Sequence, residues 1–233
     1  MRVSLLILML FLGACSRGDE DAARAPGSDA SGSARQYFIS AANPYAVEAG
    51  EEILARGGSA VDAAIATAAV LGLVEPQSSG FGGGAFLIHY DPAAGKLETY
   101  DGREVAPASA TPDRFLNPDG EPMSFYDAVV GGISVGVPGA VRMLDLAHQE
   151  HGVLPWADLL APAQKLAEDG FIVSPRLNGL LQRIPRLKQL PEAAAYFYDE
   201  DGAPRPVGYL LKNPQYAETL SALRTGGADA FYT

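Results

Sequence analysis

Arg103 stands just past a strand-like segment, Lys96 to Tyr100, in the run Asp101-Gly102-Arg103-Glu104. A guanidinium fixed at a strand end can meet a ligand carboxylate as a two-pronged, charge-assisted pair. Upstream, Gly80, Gly82, Gly83 and Gly84 form a loop whose backbone can come close to another group. Gly80-x-Gly82-x-x-Ala85 fits a loose dinucleotide fingerprint, but that fingerprint needs a strand before it and a helix after it. Here an alanine-rich helical stretch precedes the loop and an apolar run, Ala85 to His89, follows it, so a tight helix-to-strand connection is the better reading. Gly132-Ile133-Ser134-Val135-Gly136 matches the nucleophile elbow of serine hydrolases. That fold wants βα units before the serine, and an acid and then a histidine well after it. The later histidines, His148 and His151, instead fall on the helix directly following. They share one helical face, no further Cys or His completes a zinc set with them, and they read as a surface helix end. His89 reads as a structural strand residue.

The elements that must hold these residues are legible from caps and periodicity. Gln36 to Ala41 is a short strand candidate. Asn43 caps a helix with Pro44 at its first position, running to about Arg56. Gly57-Gly58 ends it, and Ser59 with Asp62 three residues on opens a second helix, Ala60 to Val74. Only Asp62 is charged there, so that helix must be covered on nearly all sides. Asp91 to Gly95 supplies turn residues between two strands, Ala85 to His89 and Lys96 to Tyr100. Ala106 to Asp127 is rich in proline and turns. Helices are predicted from Pro138 to about His151, from Leu154-Pro155 to about Asp169, from Ser174-Pro175, and from Asn213-Pro214 to Gly226-Gly227. Arg176, Arg183, Arg186 and Lys188 on the third of these read as a solvated face. The order predicts a mixed α/β domain over residues 36–233.

The chain has 233 residues, 48% of them hydrophobic, which excludes general disorder and suffices for one domain with a core. Its net charge is −11, and residues 1–35 contribute nothing to it because four Lys/Arg offset four Asp/Glu. A uniformly acidic domain is a poor candidate for nucleic-acid binding. Arg2 followed by the apolar run Val3 to Ala14 reads as a signal peptide over residues 1–14, too short to span a membrane securely. The run ends in Leu12-Gly13-Ala14-Cys15, which resembles a bacterial lipobox. Cleavage before Cys15, the only cysteine, and acylation of it would anchor the protein by lipid. Ser16 resembles the outer-membrane sorting class, so the expected location is a periplasm-facing lipoprotein of the bacterial envelope. Residues 15–35, rich in Gly, Ala, Ser and Asp, read as a flexible tether.

Several segments together resemble the γ-glutamyltranspeptidases, also called glutathione hydrolases. Gly57-Gly58-Ser59-Ala60-Val61-Asp62-Ala63-Ala64 is similar to one family segment, and Pro76-Gln77 with Gly82-Gly83-Gly84 to another. Arg103-Glu104-Val105-Ala106-Pro107 matches the family's RE-x-AP pattern, and Val137-Pro138-Gly139 its x-PG pattern. Ala161-Pro162-Ala163, Ala167 to Phe171 and Gly226 to Tyr232 extend the similarity across residues 38–233. The resemblance implies the N-terminal-nucleophile hydrolase sandwich, two helical layers around two sheets. It implies a self-cleaving precursor whose new N-terminal threonine attacks the γ-glutamyl amide, with water or an amino acid as acceptor. It implies no cofactor and no metal, glutathione or another γ-glutamyl compound as substrate, and Arg103 as the residue that grips the substrate α-carboxylate. Thr233 does not align with the nucleophile, which is expected beyond residue 233. The sequence thus reads as the large-subunit part, to be completed by a C-terminal small subunit. A cephalosporin-acylase-like relative and a catalytically inactive γ-glutamyl-binding lipoprotein remain as alternatives.

Overall fold

A computed structural model describes residues 37–233; the expected signal peptide, Cys15 and the tether lie outside the described residues. Helix α1 (Pro44–Ala55) is capped by Asn43, whose side chain accepts from Tyr45 N. Helix α2 (Ala60–Val74) opens on a complete capping box between Ser59 and Asp62. Strands β1 (Ala85–Asp91) and β2 (Lys96–Gly102) form an antiparallel hairpin, two residues longer at each strand's C-terminal end than the sequence predicts. A proline-rich stretch leads to the short helix α3 (Phe125–Val129) and a single 3-10 turn, Gly132–Ser134. Then come α4 (Ala140–His151), α5 (Trp156–Leu159), α6 (Ala161–Asp169) and β3 (Phe171–Ile172). Helix α7 (Pro175–Arg183), a 3-10 turn (Pro185–Gln189), α8 (Pro191–Phe197), β4 (Leu210–Leu211), α9 (Pro214–Gly226) and α10 (Asp229–Tyr232) complete the described chain. The mixed helix-and-strand class is the expected one.

The core surrounds α2, whose Val61, Ile65, Ala66, Ala69, Val70, Leu73 and Val74 are buried. Helices α1, α4, α5 and α6 pack against it, so the apolar helix is covered within this chain. Helix α4 also lies on one face of the β1–β2 hairpin. The strands alternate accordingly: Leu87 and Tyr100 face the helices, whereas Phe86, Ile88, Tyr90 and Leu97 are exposed on the other face.

Three predicted elements differ. Residues 37–41 pair with no strand among the described residues. The helix expected from Pro138 begins at Ala140, because Val137 is drawn into a bridge with Val105. The helix expected from Leu154 to Asp169 breaks at Leu160. Pro162 has no N–H to donate and forces a new first turn.

Candidate functional site

Arg103 follows β2 directly, at the rim of a cleft of about 470 Å³. Glu104, Val105, Arg114, Ser134 and Gly136 line the same cleft. Behind Arg103 and Glu104 three backbone segments converge, and glycines make the convergence possible. A Cβ on Gly84 would lie 2.6 Å from Gly102 O and 2.5 Å from Glu104 Oε2; one on Gly139 would lie 2.5 Å from Gly102 O. Side chains at these positions are therefore sterically excluded without movement of the backbone. The amides of Gly139 and Ala140 donate to Gly83 O, both at 3.2 Å, so the glycine loop satisfies two of the unpaired N–H groups that open α4. Val105 and Val137 exchange backbone hydrogen bonds at 3.3 and 2.8 Å. The glycine loop, the end of β2 and the start of α4 are thus one unit, and Arg103 projects from it.

The Arg103 side chain is 71% exposed, with its Nε 3.5 Å from Glu104 Oε2. Among the described residues that carboxylate is its only ionic partner. Its backbone N–H donates to Asp101 Oδ1 at 2.9 Å, which fixes the turn leaving the strand. Arg114, which sequence reasoning passed over, brings a second guanidinium to the cleft; its Nε donates to Ile133 O at 2.7 Å. The cleft therefore offers two guanidinium groups against the one carboxylate of Glu104, an arrangement suited to an anionic ligand.

The other sequence candidates separate cleanly. Ser134, in the 3-10 turn, donates its hydroxyl to Val129 O at the end of α3 at 2.9 Å, so it is a turn residue rather than an activated nucleophile. The glycine loop runs into β1, not into a helix, which removes the dinucleotide reading. Thr233 donates its hydroxyl to Asp229 O at 2.8 Å.

The reading of His148 and His151 as a surface helix end is incorrect. His148 Nε2 lies 2.8 Å from Leu154 O and 3.8 Å from the buried Asp62 Oδ1. His151 stacks on His89 with ring centroids 3.9 Å apart, and its Nε2 is 3.2 Å from Glu98 Oε2. His89, Glu98 and His151 thus converge, although no third ligand near the helical pair is visible in the linear sequence. Half of this was legible: a turn centred on Ala93-Ala94 pairs His89 with Glu98, as observed. The approach of α4 was not.

Arg176 is exposed, as a solvated face requires, with its side chain 51% accessible, yet it also has a buried partner. It pairs with Glu75, which is buried beside Asn43.

A helical layer packed on one face of an antiparallel hairpin fits the N-terminal-nucleophile hydrolase class, whose sandwich stacks helices on sheets. The sequence model of the family described as gamma-glutamyltranspeptidase matches residues 46–233, and the chain belongs to that family. The glutathione hydrolase proenzyme of Bacillus subtilis is 36% identical over 199 residues, covering 84% of this chain and 33% of that protein. The crystal structure of Helicobacter pylori gamma-glutamyltranspeptidase superposes with a TM-score of 0.80 at 31% identity, over 86% of this chain and 57% of that one. Cephalosporin acylase from Bacillus halodurans superposes with a TM-score of 0.67 at 28% identity, over 86% of this chain and 40% of that one. The chain spans about a third of the length of the curated relatives it matches.

Proposed function

We propose that this chain is the large-subunit part of a γ-glutamyltransferase or glutathione hydrolase, and that Arg103 binds the α-carboxylate of the γ-glutamyl substrate. One observation carries the reading: Arg103 stands at the cleft rim with its guanidinium exposed and only a loose contact to Glu104. In the reaction, the hydroxyl oxygen of an N-terminal threonine on the remainder of the precursor attacks the γ-carbonyl carbon. The threonine's own α-amine takes the hydroxyl proton and delivers one to the leaving amine. Water or an amino acid then accepts the γ-glutamyl group. Arg103 holds the far end of the acyl chain and so fixes the carbonyl relative to the nucleophile.

The test uses the complete processed protein and two anilides, γ-glutamyl and 4-aminobutanoyl, which differ only in the α-carboxylate. Arg103→Ala should raise KM for the first by the equivalent of about 2–5 kcal/mol and leave the second unchanged. Equal harm to both substrates would show that Arg103 is structural. Preferential hydrolysis of an acylated cephalosporin over the γ-glutamyl anilide would move the reading to the acylase, which the likeness to that enzyme keeps open.

The same reading assigns the exposed apolar face of the hairpin. Phe86, Ile88, Tyr90 and Leu97 are between 58% and 70% exposed on one side of a two-stranded sheet. We infer that the remainder of the precursor covers this face and completes the sandwich. Among the described residues no helix is long and apolar enough to cross a membrane. We propose that Cys15 is acylated and tethers the protein to the periplasmic side of the bacterial outer membrane. Azido fatty-acid labelling tests this: label should enter the parent and be lost in Cys15→Ser, and equal labelling of both would refute it.

A further inference from the structure

The His89–Glu98–His151 cluster lies away from the cleft. Glu98 lies on β2 five residues before Arg103, which follows the strand, about 16 Å along an extended chain. We propose that these three residues form a binding site for a divalent metal of the zinc class, which clips the turn end of the hairpin to the C-terminus of α4.

One ligand atom from each residue lies within 4.8 Å of the other two. Glu98 Oε2 is 3.2 Å from His151 Nε2 and 3.8 Å from His89 Nδ1. Donors around a tetrahedral zinc with bonds of about 2.0–2.1 Å stand about 3.4 Å apart. The first separation already fits, and the second needs to close by a few tenths of an ångström. The stacked imidazoles are tilted by only 24°, so one ring must swing out of the stack to aim its lone pair at the ion.

A second observation points to a ligand. His89 Nδ1 is buried and has no hydrogen-bond partner, although the side chain is 19% exposed overall. A buried polar atom without a partner is costly, and a metal ion would satisfy it. The carboxylate is prepared as well. Lys96 Nζ donates to Glu98 Oε1 at 2.6 Å and leaves Oε2 for the ion. Around it, Tyr100 donates to Glu150 Oε2 at 2.5 Å, and its oxygen is 2.8 Å from His151 Nε2. Metal binding takes the Nε2 lone pair of His151 and leaves the ring proton on Nδ1, so the contact with Tyr100 is given up.

Donor chemistry selects the ion. Two imidazoles and one carboxylate favour zinc, cobalt, nickel or copper over magnesium and calcium, which prefer all-oxygen shells. Three protein ligands on a partly exposed surface leave a fourth position for water.

The test uses the full chain prepared without a histidine tag and stripped with chelator. Zinc titrated calorimetrically should bind with one-to-one stoichiometry, and cobalt should give the intense visible bands of a tetrahedral site. Zinc should raise the thermal midpoint of the parent. His89→Gln and Glu98→Gln should each weaken zinc more than about tenfold, beyond what changes outside the ligand shell usually cost at the low end. Far-UV circular dichroism confirms that each variant is folded, and Glu98→Gln, at a half-exposed strand position, serves if His89→Gln is not. Absence of one-to-one binding by the folded parent overturns the proposal, as does unchanged affinity in a folded variant.

Discussion

Arg176 Nη1 lies 2.8 Å from Glu75 Oε2, and Glu75 is 2% exposed. The carboxylate has two further donors: Asn43 Nδ2 at 3.0 Å on Oε1, and Gln77 Nε2 at 2.5 Å on Oε2. Arg176 Nη2 also donates to Ser78 Oγ at 3.2 Å. The start of α1, the end of α2 and the start of α7 are thereby tied to one buried charge. A buried carboxylate is tolerated only when its lone pairs are matched, and here they are.

Arg176→Met should therefore destabilise the chain by about 1.5–3 kcal/mol, the usual size of a hydrogen bond to a charged group. Urea denaturation measures it. A change under about 0.5 kcal/mol, the level of an ordinary surface substitution, would show the pair to be inert. Adding Glu75→Gln should recover part of the loss, because the stranded charge is gone.

Asp62 is fully buried and does two jobs with one oxygen. Its Oδ2 accepts from Ser59 N at 2.9 Å, closing the capping box, and from Val153 N and Leu154 N at 3.0 Å each. The loop after α4 is thus pinned to the start of α2. Asp62→Ala should cost about 3 kcal/mol or more, from a lost cap and two orphaned amides. Asp62→Asn should fall between alanine and the parent, since an amide oxygen accepts without charge assistance. If alanine and asparagine cost the same, the amide contacts are not what holds the loop.

These two cases mark how far the sequence could be read. The capping box was visible because Ser59 and Asp62 are three residues apart. The link from Asp62 to Val153 spans 91 positions and depends on how α4 packs against α2, which no local pattern encodes. The pairing of the exposed Arg176 with Glu75 was hidden for the same reason: the two are 101 residues apart. Local signals also gave the hairpin, the start of α9 at Asn213-Pro214 and the arginine at the strand end. They missed α8, because Pro191 and a run of alanines carry no apolar stripe, and they missed the two-residue pairing of β3 with β4. The glycine motifs beside the cleft were legible one by one. Their convergence on Gly102 was not.

Glycine substitutions test that convergence. Gly84→Ala and Gly139→Ala place a methyl group within 2.6 Å of backbone or carboxylate oxygen, and should cost about 1–3 kcal/mol as overpacking does. Gly82→Ala, where nothing lies within 4 Å of the added atom, should change stability by less than about 0.5 kcal/mol. In the complete protein, Gly84→Ala should also weaken γ-glutamyl binding, because Glu104 and the end of β2 must shift and carry Arg103 with them. Equal stability of the Gly82 and Gly84 variants in thermal melts would count against a steric role for the loop.

The hairpin makes the last prediction. Phe86, Ile88 and Tyr90 alternate with the half-buried Leu87 and His89, so one face of the strand is entirely apolar and exposed. Among the described residues β1 and β2 pair only with each other, which leaves both outer edges with free N–H and C=O groups. Open edges beside an apolar face favour association with another chain. The chain without the remainder of its precursor should therefore self-associate at micromolar concentration, with the sedimentation coefficient rising as protein is added. Ile88→Lys puts a charge in the middle of that face, opposite Thr99, without touching the helix-facing side. It should shift the chain towards monomer while leaving its unfolding free energy within about 0.5 kcal/mol of the parent, as an exposed substitution does. In the complete protein the same substitution should be strongly destabilising, because there the lysine would be buried without a partner. A parent chain that stays monomeric at every concentration, or an Ile88→Lys variant that leaves the complete protein unaffected, would show that this face is not where the two parts meet.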